Sequence, residues 1–192
     1  AELDFAREQA GKEGVALAGV IHGNALDLAP LPDAHFDAVL LMGPLYHLLR
    51  LEERQQAVRE ARRVLKPGGV MAASFIGRYS VLQDVAPSEP EWIIEHEGRH
   101  RQVLETGCLL VDSGNFVDAY LAHPSEVRPL MEGEGLQTMD LLAAEGLIGF
   151  LDQRINQLQG EQWEAWVDVT YRICRDPSIL GAAAHLLWIG RK

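Results

Sequence analysis

The chain has 192 residues, the length of one domain, and 47% of them are hydrophobic against 23% charged, which supplies a core and excludes an intrinsically disordered chain. Lys and Arg number 17 against 28 Asp and Glu, a formal charge of -11. That charge repels phosphate backbones and anionic lipid, so neither nucleic acid nor a membrane surface is an expected partner. No apolar run approaches the ~20 residues that span a bilayer. Ala1-Glu2-Leu3-Asp4 has no signal-peptide character, so a cytoplasmic protein is expected.

In chain order, Leu3, Ala6 and Ala10 recur at helical spacing and predict a helix over Glu2 to Glu13, stopped by Gly14. The run Leu17 to Ile21 predicts a buried strand closed by His22-Gly23-Asn24. A proline-marked connection follows, then Phe36 to Met42 predicts a second strand that breaks at Gly43-Pro44. Leu51 to Leu65 reads as a helix with Glu52 and Glu53 in its first turn and Arg62, Arg63 and Lys66 near its end, and Pro67-Gly68-Gly69 stops it. Val70 to Ile76 is the third strand. Strand, helix, strand with nearly continuous apolar strands predicts parallel pairing, hence an α/β sheet covered on both faces.

The segment 78–120 interrupts this rhythm with Pro87, Pro90, several charges and aromatics, and is read as a cap inserted into a core made of 1–77 and 121–192. Ser125 is expected to cap a helix running to Glu132, followed by a turn and a strand from Gln137 to Ala143. Two helices, Leu147 to Leu158 and Glu161 to Arg175, precede a last strand at Leu186 to Ile189. Cys108 and Cys174 show no CxxC or Cys/His spacing, so reduced thiols and no metal site are expected.

In an open α/β sheet, ligands lie beyond the carboxyl ends of the strands. Two such ends carry distinctive residues. At Gly23-Asn24-Ala25-Leu26-Asp27 glycine admits close approach to the backbone, and Asn24 offers the donor and acceptor that suit a base edge. Met42-Gly43-Pro44-Leu45-Tyr46-His47 presents a thioether, an aromatic ring and an imidazole on a proline-stiffened turn.

Four segments, taken in order, resemble the class I S-adenosylmethionine-dependent methyltransferases. They are Gly23-Asn24-Ala25 with Leu31-Pro32 after it, Phe36-Asp37-Ala38-Val39, Gly43-Pro44-Leu45-Tyr46-His47-Leu48, and Arg63-Val64-Leu65-Lys66-Pro67-Gly68-Gly69. The branch they resemble is the small-molecule or uncharacterised one. The resemblance implies a Rossmann-like, three-layer αβα sheet of order 3-2-1-4-5-7-6, with a cap insert after strand 5 and a helical insert between the last two strands. It also implies S-adenosylmethionine as cofactor, with Asn24 near the adenine amino group, the Ala25 amide and Leu26 beside the ring, and Met42 and Gly43 along the ribose and methionine side. Leu45, Tyr46 and His47 would face cofactor and acceptor.

The family's glycine-rich first loop and the acidic end of its second strand have no counterpart. The resemblance therefore implies an N-terminally incomplete sheet, strands 1 and 2 being absent from this chain, and a longer polypeptide.

A sulfonium carries its own leaving group, so catalytic signatures are faint. His47 is either a general base or a structural helix-start histidine. Tyr79, Trp92, Phe116, Tyr120 and His123 either pack the core or together wall an apolar acceptor pocket. Trp163 and Trp166 read as helix packing, and Glu95, His96, Glu97 and His100 as a solvated face. The expected function is methyl transfer to a small-molecule acceptor. The alternative is a non-catalytic binding or interaction module of the same fold. A nicotinamide oxidoreductase would need a GxGxxG loop, and none is present. The sequence leaves the oligomeric state open.

Overall fold

A computed structural model describes residues 2–110 and 117–192. Helix α1 (Glu2–Lys12) buries no residue. Strand β1 (Phe36–Leu41) leads through the short helix α2 (Pro44–His47) into α3 (Leu51–Val64) and strand β2 (Leu65–Gly77). The crossover makes β1 and β2 parallel, with Val39 opposite Met71 and Leu41 opposite Ala73, as the strand-helix-strand pattern predicts. The intervening segment 78–120 contributes α4 (Ser80–Ser88), α5 (Trp92–Glu95), α6 (Glu97–Thr106) and a hairpin of β3 (Cys108–Leu109) with β4 (Ala119–Ala122). Then come α7 (Pro124–Gly133), β5 (Gln137–Ala143), a 3-10 turn at Gly146–Leu151, and the helices α8 (Asp152–Ile155), α9 (Glu161–Ile173) and α10 (Pro177–Leu180). Strand β6 (His185–Arg191) closes the sheet by running antiparallel between β2 and β5.

The resulting order, β1-β2-β6-β5, equals the 4-5-7-6 half of the order the resemblance implies. Its buried face carries Met71, Ala73, Phe75, Leu141, Leu186 and Trp188 under α3 and α7. Trp188 is fully buried, and its indole N–H donates to Thr138 Oγ1 at 2.9 Å, so the largest core side chain leaves no polar atom unpaired. The opposite face has less cover among the described residues: Leu40, opposite Ala72, is 73% exposed.

Several expectations change. Leu17 to Ile21 forms no strand; Leu17 is 49% and Ile21 57% exposed. A strand exists through its ladder, and among the described residues β1 pairs only with β2, so none of them offers this run a ladder. Strand β2 begins at Leu65 rather than Val70, because Gly68 and Gly69 exchange backbone hydrogen bonds with Lys192. Helix α3 accordingly ends at Val64. The cap of α7 is His123 and not Ser125. His123 Nδ1 accepts the Ser125 N–H while Glu126 Oε2 accepts the His123 N–H at 2.9 Å, a reciprocal capping box two residues earlier. The helix expected over Leu147 to Leu158 is broken into the 3-10 turn and α8.

Candidate functional site

The two bends singled out in the sequence come together. One cavity of about 300 Å³ is lined by Gly23, Asn24 and Ala25 from the first bend, by Leu41 and Pro44 flanking the second, and by Ala57 and Ala61 of α3 as its small-residue floor. It runs alongside β1, whose Val39, Leu40 and Leu41 line it, and reaches Pro44 at the carboxyl end, where an open sheet receives ligands.

The first bend is held by side chains gripping backbone. Asn24 Oδ1 accepts the Leu26 N–H at 3.0 Å, and Asn24 O accepts the Asp27 N–H at 3.0 Å, an Asx turn that fixes the side chain. From α3, Gln56 Nε2 donates to Leu26 O, Glu60 Oε2 accepts the Leu28 N–H at 2.8 Å, and Arg63 donates to Leu28 O at 2.8 Å and Leu31 O at 2.9 Å. Glu60 and Asp33 hold the Arg63 guanidinium firmly protonated. The charged, periodic face of α3 is therefore the fixture of the loop.

The second bend depends on Gly43. Its φ of 122° lies where side chains are rarely tolerated, and the Tyr46 hydroxyl sits 3.5 Å from where a Cβ would stand. Tyr46 and His47 meet edge to face at 4.8 Å, with His47 exposed.

Met42 is exposed beside the cavity-lining Leu41, whereas Leu45 is fully buried in the core and presents nothing to a ligand. Leu26 is half-buried against the core, its N–H already used in the Asx turn. Sequence reasoning named Met42 and Gly43 but missed their cavity-lining neighbours Leu41 and Pro44.

The aromatic residues from the interrupting segment fall into three groups. Tyr79 meets His123 edge to face at 6.2 Å, at the adjacent ends of β2 and β4. Trp92 stacks on His96 at 5.2 Å within the insert. Tyr120 is buried, its hydroxyl donating to Glu126 and its ring lying 3.4 Å beneath the Arg54 guanidinium. Burial and the Glu126 bond push the Tyr120 phenol up to about 12. Phe116 lies outside the described residues.

Burial pushes the Glu126 carboxyl upward. The Tyr120 hydroxyl, the His123 N–H and Arg78 outweigh it and hold the group below its usual value. Arg78, itself buried, also donates to Leu121 O and Leu104 O, so one guanidinium ties β4, α6 and α7 together.

β4 stands in the lane of β1. Ile76 pairs with His185 of β6 on one edge of β2 and with Leu121 on the other, and that other edge is the one β1 occupies up to Ala73. The strand end of the insert thus faces the carboxyl end of β1, and α2 packs against it.

Trp163 and Trp166 are each 39% exposed and line an apolar cavity of about 630 Å³ with Leu142 and Leu187 of the less covered sheet face. Helix α9 buries no residue. Reading these tryptophans as buried helix packing is therefore corrected: α9 touches the 3-10 turn, but its apolar stripe buries no residue.

Residues 1–73 match the methyltransferase domain family. A 27-O-demethylrifamycin SV methyltransferase of Amycolatopsis mediterranei is 26% identical over 165 residues, 82% of this chain and 54% of the relative. A demethylmenaquinone methyltransferase of Listeria monocytogenes is 40% identical over 97 residues, 47% of this chain and 36% of the relative. The chain thus spans about half of the first relative's length and about a third of the second's. A SAM-dependent methyltransferase of Methanosarcina mazei shares the fold with a TM-score of 0.59 at 15% identity, over 99% of this chain and 76% of the other. No helix among the described residues is long and apolar enough to cross a membrane. The first 73 residues thus match the methyltransferase domain family, and the chain as a whole shares the fold of a SAM-dependent methyltransferase.

Proposed function

We propose that the chain takes part in transferring a methyl group from S-adenosylmethionine to a small-molecule acceptor. The observation that carries this reading is the single cavity shared by the Gly23-Asn24-Ala25 bend and the residues flanking Gly43. Its volume suits a nucleobase and sugar. Its donors suit them too: Asn24 keeps an amide NH2 and a second lone pair on Oδ1 beyond its Asx turn. Ala25 brings backbone to the cavity wall, and Gly43 leaves the methionine side open. The bound cofactor supplies the sulfonium methyl. The chain's residues orient it, hold the acceptor in line and exclude water.

His47, on the exposed rim beside Tyr46, is the residue to test as proton acceptor, and Met42 and Tyr46 line the approach. Tyr79 of the insert and His123 of the core, together at the ends of β2 and β4, are placed to meet an acceptor; Trp92 would act through the insert. Relatives named for methylating demethylrifamycin SV and demethylmenaquinone support a small-molecule acceptor. A cytoplasmic location agrees with the charge and composition.

A second reading, a binding module of this fold without turnover, is favoured by one observation. The outer edge of β1 has no partner strand among the described residues, so the cavity is walled on one side. Calorimetry with S-adenosylhomocysteine, followed by a methyl-release assay with candidate acceptors, separates the two. Binding with turnover is expected. Binding without turnover across acceptors favours the module, and absence of binding contradicts both.

A further inference from the structure

Arg54 is a buried charge with no direct ion pair among the described residues. It is 5% exposed, and its hydrogen bonds run from Nη1 to the carbonyls of Leu48 and Leu49 at 2.8 and 2.7 Å, with the Tyr120 ring beneath it. Its Nε is buried with no hydrogen-bond partner, and no carboxylate among the described residues forms an ion pair with it. A buried cation is ordinarily paired, because desolvation penalises the charged form and carbonyls or a π face compensate only in part.

Arg54 lines a cavity of about 430 Å³ with an apolar side from Leu51, Phe75 and Leu130 and polar groups from Gln55, Ser125 and Glu126. The first turns of two helices of full length open onto the same space, α3 through Leu51 and α7 through Ser125 and Glu126. Both helix dipoles favour negative charge there, and α3, which has no side-chain cap, adds free first-turn N–H groups, whereas those of α7 are taken by His123. Glu126 opposes this only weakly. Both its oxygens accept from Arg78, and Oε2 also accepts from the Tyr120 hydroxyl and the His123 N–H, so its charge is offset within the wall.

We propose that this cavity is a binding site for a small organic acid, whose carboxylate takes the unpartnered Nε edge of Arg54 while its apolar body lies against Phe75 and Leu130. The guanidinium fork matches the two oxygens of a carboxylate in one plane, which a neutral amide cannot reproduce. The site is separate from the cavity at the end of β1 and needs no cofactor. It lies over Tyr120 and Ala122 of β4 and Phe75 of β2.

Calorimetry and thermal shift with benzoate, and with benzamide as its neutral isostere, test the site on the whole chain. Benzoate should bind saturably and raise the melting temperature, with benzamide at least tenfold weaker. Arg54→Met should lose benzoate binding at least tenfold while melting no lower than the unliganded parent, since it removes a buried charge that has no direct ion pair. Arg54→Lys should retain part of the binding. Equal binding of benzoate and benzamide, undiminished benzoate binding in Arg54→Met, or no saturable benzoate binding would each overturn the proposal. S-adenosylhomocysteine titrated in parallel keeps the two readings distinct: its failure to bind contradicts methyl transfer and leaves the benzoate result standing.

Discussion

The cavity at the end of β1 and the cavity under α9 show two ways in which a chain makes a concave surface. The first is built from backbone bends, each fixed by a polar constraint: Asn24 closing its own turn, Gln56, Glu60 and Arg63 gripping the loop, and Gly43 in a conformation few residues accept. The second is built from an apolar stripe standing off an apolar sheet face, with no buried residue on the helix. Hydrogen bonds with defined partners fix where a loop lies. Apolar periodicity fixes only which side of a helix avoids water.

The comparison is broken most forcefully at Leu45. Although the resemblance assigns it to the ligand, it is wholly buried in the core, so Leu45→Ala should cost about 2–5 kcal/mol in denaturant unfolding. A loss below ~1 kcal/mol would return it to the cavity.

Next in size, Gly43→Val forces a β-branched residue into a positive φ, a strain of about 1–3 kcal/mol, and closes the methionine side. Calorimetry should show S-adenosylhomocysteine affinity falling at least tenfold, whereas unchanged affinity would remove the second bend from the site.

A smaller effect lies at the rim of the α9 cavity, where Glu145 Oε1 meets His185 Nδ1 at 2.6 Å. The hydrogen bond to Glu145 raises the His185 imidazole above its ordinary value, despite burial. For Glu145, burial pushes upward but His185 outweighs it, leaving the carboxyl lowered. The raised histidine stabilises the fold fully below its unfolded value and loses this as pH rises through its folded one. The lowered carboxyl does so above its unfolded value and loses it as pH falls. The pair therefore contributes most between roughly pH 4.5 and 6.5. Both groups are partly exposed, so Glu145→Gln should cost under about 1 kcal/mol there, and less on either side of that window. A difference independent of pH would show that the pair does not titrate as described.

Smallest of all, Trp166→Ala should change stability by no more than ~0.5 kcal/mol, an unusual result for tryptophan that follows from a helix burying no residue. A loss of several kcal/mol in the same unfolding experiment would mean that α9 is packed after all.

The strands β1, β5 and β6 and helix α3 were legible because their own residues decide them: continuous apolar runs for the strands, charges ordered along the dipole for the helix. So were the two bends, since glycine and asparagine mark backbone that other residues would not tolerate. Leu17 to Ile21 was not legible, because a strand needs a partner and the run itself names none. The early start of β2 was hidden because Pro67-Gly68-Gly69 reads as a stop, while its ladder comes from Lys192, far along the chain. Ser125 outranks histidine as an expected cap; only the position of Glu126 relative to His123 decides between them. Arg54 was invisible for a related reason. In a helix rich in arginine, nothing local distinguishes the guanidinium that folds inward from those that grip the loop.

The central claim is that the bends at Gly23-Asn24-Ala25 and Met42-Gly43 receive the adenosyl group together. Amide chemical-shift mapping during titration with S-adenosylhomocysteine tests it most directly. The largest perturbations are expected at Asn24, Ala25 and Gly43, moving with one common affinity. Perturbations centred on β5 and α9, with those three amides unmoved, would contradict it.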